Sequence, residues 1–108
     1  MGAHGVHESE RSSPQPFEVD LDLFLDTSDA ASSDHLSDTA DYSAVLDAVA
    51  EVVAGRPRLL LESLAAAIAD AVLSTPHVER VVVAVRKLDP PVLYELDSAG
   101  VRIERRRS

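Results

Sequence analysis

The chain has 108 residues, a length that fits one domain, spanning 1–108, around a single two-layer core. Its formal net charge of -9 disfavours a nucleic-acid partner, and zero cysteines exclude disulfides, thiolate metal sites and cysteine nucleophiles. No apolar run approaches the roughly 20 residues of a membrane span, and no basic-then-apolar leader opens the chain, so a cytoplasmic protein without membrane contact is expected.

Residues 1–16 mix Gly, Ser, Pro and His without periodicity and read as a loop. Residues 17–26 then alternate. Phe17, Val19, Leu21, Leu23 and Leu25 point one way, and Glu18, Asp20, Asp22 and Asp26 the other, which is a strand with one buried face. Phe24 interrupts the polar face, as a residue that meets a partner would. Residues 27–40 are rich in Ser, Asp and Ala and read as a connection with short helical turns.

A helix is predicted over residues 42–54, with Asp38, Thr39 and Asp41 as N-cap candidates and Tyr42, Val45, Leu46, Val49, Val52 and Val53 on its apolar stripe. Gly55 and Pro57 stop it. A second helix, residues 59–73, carries Leu60, Leu61, Leu64, Ile68, Ala71 and Val72 on its stripe and Glu62 in its first turn, where the helix dipole favours a carboxylate. Residues 78–87 form a strand in which Val81, Val83, Val85 and Lys87 share a face. Pro90-Pro91 ends it. Val101 and Ile103 mark a last strand, antiparallel to the one before, and Arg105, Arg106 and Arg107 lead a basic tail over 105–108. This order gives an α+β two-layer unit.

Two residues stand out chemically. Glu62 heads an apolar run, and a carboxylate there can accept two parallel hydrogen bonds from a polar ring. Lys87 continues the apolar face of a strand, so it either snorkels at the sheet end or enters a pocket and handles a proton.

Several segments in order resemble the dihydroneopterin aldolase family. They are Gly2-Ala3-His4-Gly5-Val6, Glu10-Arg11, Gln15-Pro16-Phe17-Glu18-Val19-Asp20, residues 33–42 ending Thr39-Ala40-Asp41-Tyr42, Leu60-Leu61-Glu62-Ser63-Leu64 and Lys87-Leu88-Asp89-Pro90-Pro91. The resemblance implies the tunnelling fold, an antiparallel sheet with two helices packed on one face, assembled into homo-oligomeric rings (a tetramer or a stacked octamer). It further implies a pterin substrate, with Glu62 as its anchor and the Leu61 backbone beside it. Ala40, Asp41 and Tyr42 would come from the next subunit. Lys87 would be the catalytic lysine, Glu10 the glutamate that positions it, and Tyr42 a proton-transfer group.

The implied reaction is retro-aldol cleavage of dihydroneopterin to hydroxymethyl-dihydropterin and glycolaldehyde, without cofactor, metal or lysine Schiff base. Epimerisation as the main output and a non-catalytic pterin-binding or assembly role are the alternatives. The family places a strand ahead of the Gly-Ala-His-Gly position, whereas this chain starts at Met1-Gly2, so the pairing edge of the 17–25 strand is expected to be open. His4, His7, His35 and His77 lack the strand placement of a zinc site, and His4 reads as a local hydrogen-bonding residue near the pocket entrance.

Overall fold

A computed structural model describes residues 2–12, 15–88 and 99–107, with Ser12 and Ala99 described for their backbone alone. The Pro90-Pro91 stop, Ser108 and the end of the 87–91 motif lie outside the described residues. The elements are α1 (Glu8–Ser12), β1 (Phe17–Phe24), α2 (Ser28–Ser33), a 3-10 turn (Leu36–Asp38), α3 (Tyr42–Ala54), α4 (Leu61–Leu73), β2 (Arg80–Lys87) and β3 (Ala99–Arg106).

The sheet is antiparallel, in the order β1-β2-β3. Its register pairs Phe17 with Lys87, Val19 with Val85, Leu21 with Val83 and Leu23 with Val81. The same face continues into Val101 and Ile103 of β3. Period-two alternation thus places one apolar face under the helices, as an α+β two-layer fold requires. α4 lies over β2 and β3, and α3 packs on α4. Leu64, Ala65, Ile68, Ala69 and Val72 of α4 are buried against Val81, Val83 and Val85. Alanine on this face brings the helix close to the sheet. Truncating Leu64 or Ile68, both fully buried, is expected to cost about 2–5 kcal/mol.

α3 begins where predicted. Asp41 is its N-cap and accepts from the Ser43 and Ala44 N–H groups at 3.0 and 3.4 Å. Its stripe is narrower than predicted, because only Val45, Val49 and Val53 are buried. Tyr42 and Leu46 are exposed, since α3 rests on α4 and leaves an open groove of about 560 Å³ between its outer flank and β1. Leu60 is likewise exposed. It has extended backbone at the N-cap of α4, which starts two residues later than the apolar run suggested.

The ends of the chain hold more structure than a loop and a tail. Within residues 1–16 lies α1, whose Glu8 and Glu10 in the first turn and Arg11 in the last suit the helix dipole. Five residues cannot sustain a helix alone. α1 is held by Arg11, which donates to the Gly5 and Val6 carbonyls at 2.9 and 2.5 Å. Gly2 also bridges to Gln15.

Arg105 and Arg106 belong to β3, and Arg107 clamps the end of α4. It donates to the carbonyls of Leu73, Thr75 and Val78 at 2.8, 2.8 and 2.9 Å. A cation there satisfies orphan carbonyls and opposes the negative helix end. Phe24, the apolar interruption on the outer face, lies under the Arg80 guanidinium at 3.7 Å.

Candidate active site

The antiparallel path of α3 and α4 gives the helical layer two distinct ends. At one end the start of α3 lies beside the end of α4, where His77 Nε2 donates to the Ser37 carbonyl at 2.8 Å. At the other end the close of α3, residues 55–60 and the first turn of α4 meet residues 2–10 and the end of β2. There His4 contacts Val53 and Arg58, and Lys87 meets Glu10.

This second end carries a buried ion pair. Lys87 Nζ donates to Glu10 Oε2, and both residues are 8% exposed. The strand places Lys87 there, because its face is the one that carries Val81, Val83 and Val85 under the helices. Lys87 is therefore buried against Glu10 and does not snorkel to solvent. Phe17, the cross-strand partner of Lys87, holds its ring 6.0 Å from the ammonium.

Glu10 is fixed from several sides. The His7 N–H donates to Oε1 at 3.3 Å, and Gln15 Nε2 donates to the Glu10 carbonyl at 3.2 Å. Burial acts to raise the Glu10 pKa. Hydrogen bonds from Lys87 and the His7 N–H, with the charge of Lys87, outweigh burial and hold the carboxyl below its ordinary range. The two side chains thus form a buried ion pair at this end of the fold.

Glu62 lies in the first turn of α4 at this same end, with its side chain exposed. Its N-cap, Leu60, has no polar side chain to cap it, so among the described residues no cap side chain engages its leading N–H groups. Leu61 is half-buried beside it. A carboxylate next to N–H donors matches a planar ring edge that presents both N–H and C=O groups.

Ala40, Asp41 and Tyr42 lie at the opposite end of the hairpin. Ala40 is buried, the Asp41 carboxylate is engaged as the α3 cap, and Tyr42 lines the groove beside β1 with 62% exposure. One chain therefore joins Glu10 with Lys87 and sets Glu62 at their end of the fold. It does not bring Tyr42 to them.

The reading of residues by type missed His4 as a structural centre. It is 1% exposed, not a pocket-entrance residue, and both ring nitrogens contact backbone groups. The available signal was its place between two glycines, which allow close backbone approach. Among the described residues no group of three or more His, Asp or Glu side chains converges as metal ligands do. Among them, too, no helix is long and apolar enough to cross a membrane.

The family model for FolB, dihydroneopterin aldolase, matches residues 1–104. The chain belongs to the dihydroneopterin aldolase family. It is 43% identical over 106 residues to a dihydroneopterin aldolase of Streptomyces coelicolor, covering 98% of this chain and 89% of that one. The structure of Escherichia coli dihydroneopterin aldolase in complex with neopterin matches with a TM-score of 0.81 at 27% identity, covering 96% of this chain and 89% of the other. The dihydroneopterin aldolase of Burkholderia thailendensis bound to guanine matches with a TM-score of 0.74 at 26% identity, covering 99% and 83%. The antiparallel sheet with helices packed on it is the fold that the resemblance implied.

Proposed function

We propose that this chain is a dihydroneopterin aldolase, a lyase that cleaves dihydroneopterin to hydroxymethyl-dihydropterin and glycolaldehyde. The observation that carries this reading is the buried Glu10–Lys87 pair at the same end of the fold as the first turn of α4 and Glu62. The similarity to structures holding neopterin and guanine supports it, since both ligands present an amino group beside a ring N–H and a carbonyl.

Glu62 accepts hydrogen bonds from that edge, and the backbone at Leu61 meets the ring carbonyl. The side-chain hydroxyl next to the ring-bearing carbon gives up its proton, and the carbon–carbon bond breaks. Glycolaldehyde leaves, and the electron pair moves into the conjugated dihydropterin ring. The ring-bearing carbon then takes a proton and becomes the hydroxymethyl group, so atoms and charge balance without a further reactant. Lys87, held by Glu10, handles the proton together with Tyr42.

The ring is its own electron sink, so the reaction proceeds without a metal. The same conjugation makes a lysine Schiff base unnecessary. Tyr42 and Ala40–Asp41 complete the site from a neighbouring subunit of a ring, in the cytoplasm. The opposite placement of Tyr42 and Glu62 on the hairpin supports this, as do exposed Val6, Leu46, Leu59 and Leu60.

The test is an assay of the purified chain with dihydroneopterin, following both products, with Lys87→Ala alongside. Turnover lost in the variant supports the reading. A wild-type chain that binds neopterin but releases no glycolaldehyde under any assembly state would overturn it.

A further inference from the structure

We infer that His4 is a positioning residue, which ties the segment carrying Glu10 to the turn that presents Glu62. The functional half of this inference rests on the aldolase reading. Its structural half stands on the geometry.

The ring of His4 is fully enclosed and has two unlike partners. Nε2 lies 2.6 Å from the Val53 carbonyl, which only accepts, so Nε2 carries the hydrogen. Nδ1 receives the Arg58 N–H at 3.0 Å, so Nδ1 carries none. These partners select one neutral tautomer and leave neither nitrogen open to a substrate or metal. The Phe17 ring packs edge-on at 5.4 Å.

The next residue completes the tie. The Gly5 N–H donates to the Arg58 carbonyl at 2.8 Å, so residues 4 and 5 together hold both backbone polar groups of Arg58. Arg58 enters the turn that becomes α4 at Leu61. With an apolar N-cap, Leu60, that makes no side-chain bond to α4, the register of its first turn depends on how the incoming chain is held.

Gly5 also faces the acid. It has φ +155°, and a Cβ there would lie 2.5 Å from the Glu10 carboxyl carbon, so only glycine lets the two approach. The dipeptide therefore couples two parts of one site. On one side is the Glu10–Lys87 pair, on the other the carboxylate of Glu62 and its neighbouring N–H groups.

Two amide variants separate the two nitrogens. H4N places an acceptor where Nδ1 stands and keeps the Arg58 tie. H4Q places a donor where Nε2 stands and leaves the Arg58 N–H without an acceptor. H4Q is expected to raise the KM for dihydroneopterin about tenfold, the scale of one buried N–H left unpaired, with kcat changed less than about twofold. H4N is expected to recover most of that loss. Hydrogen exchange at the Gly5 and Leu64 amides is expected to quicken about tenfold in H4Q and to stay slow in H4N.

Equal KM values in the two variants, or equal exchange, would overturn the proposal. So would parallel losses of KM and kcat that follow only the loss of Tm. The exchange comparison needs no substrate, so an inactive wild type sinks the aldolase reading while the role of His4 is still decided. Should H4Q not fold, nitrogen NMR of the unmodified protein decides it. The proton is expected on Nε2 of His4, and the opposite tautomer overturns the proposal.

Discussion

Glu10 and Lys87 stand 77 positions apart in the chain and meet as a buried ion pair. A five-residue helix brings the acid and the end of a valine strand brings the ammonium, so neither element builds the site alone.

Breaking the pair from one side leaves an uncompensated buried charge. Glu10→Ala is expected to lower stability by about 3–5 kcal/mol, and Glu10→Leu with Lys87→Met to recover much of it. Urea unfolding of the single and double variants checks this. Lys87→Ala is also expected to cut kcat by about 10²–10⁴-fold while neopterin binding stays near wild type. Equal loss of binding would contradict the assigned division of roles.

The depressed pKa of Glu10 gives a pH dependence with a definite sign. Its folded value lies below the unfolded value of about 4.3, so the unfolded chain takes up the proton first as pH falls. The stability it contributes is present in full above that unfolded value and is lost as pH falls through the folded one. Tm measured from pH 7 to pH 3 for wild type and Glu10→Gln should converge on the acid side. A Tm gap that stays constant across the range counts against this.

Glu62 and Asp41 are both carboxylates at helix starts, and they should respond differently. Glu62 is exposed and makes no capping bond, so Glu62→Ala is expected to abolish neopterin binding while stability moves by less than about 0.5 kcal/mol. Asp41→Ala removes a working cap and is expected to cost about 1 kcal/mol, with Asp41→Asn restoring it. Calorimetric neopterin titration and thermal melts on the same samples separate the two.

Arg106 and Arg107 are adjacent arginines with different consequences. Arg107→Ala removes three bonds to carbonyls at and just beyond the end of α4 and is expected to cost about 1 kcal/mol or more. Arg106 reaches Glu104 only at 3.8 Å with most of its side chain exposed, and its loss should fall within solvent-screened surface effects. Paired urea melts of the two alanine variants provide the check.

The chain by itself determined the order of its three strands and two long helices, because local periodicity needs no partner. Alternation over β1, the stripe ending at Val72 and the valine run of β2 are all properties of neighbouring residues. The direction of Lys87 was legible for the same reason, since period two puts it on the face of Val81, Val83 and Val85. The resemblance carried by Glu10, Tyr42, Glu62 and Lys87 named the chemistry.

Only the tertiary structure decided where the long-range partners fall. Whether Tyr42 and Leu46 are covered depends on where α3 rests, and it rests on α4. Arg107 reads as a solvated tail until β3 carries it to the open carbonyls at the end of α4. His4 reads in sequence as a local hydrogen-bonding residue, but its partners are the backbone groups of Val53 and Arg58, 49 and 54 positions away. Backbone groups are the same in every residue, so a side chain that bonds to them leaves no pattern to read, and only folding reveals the bond.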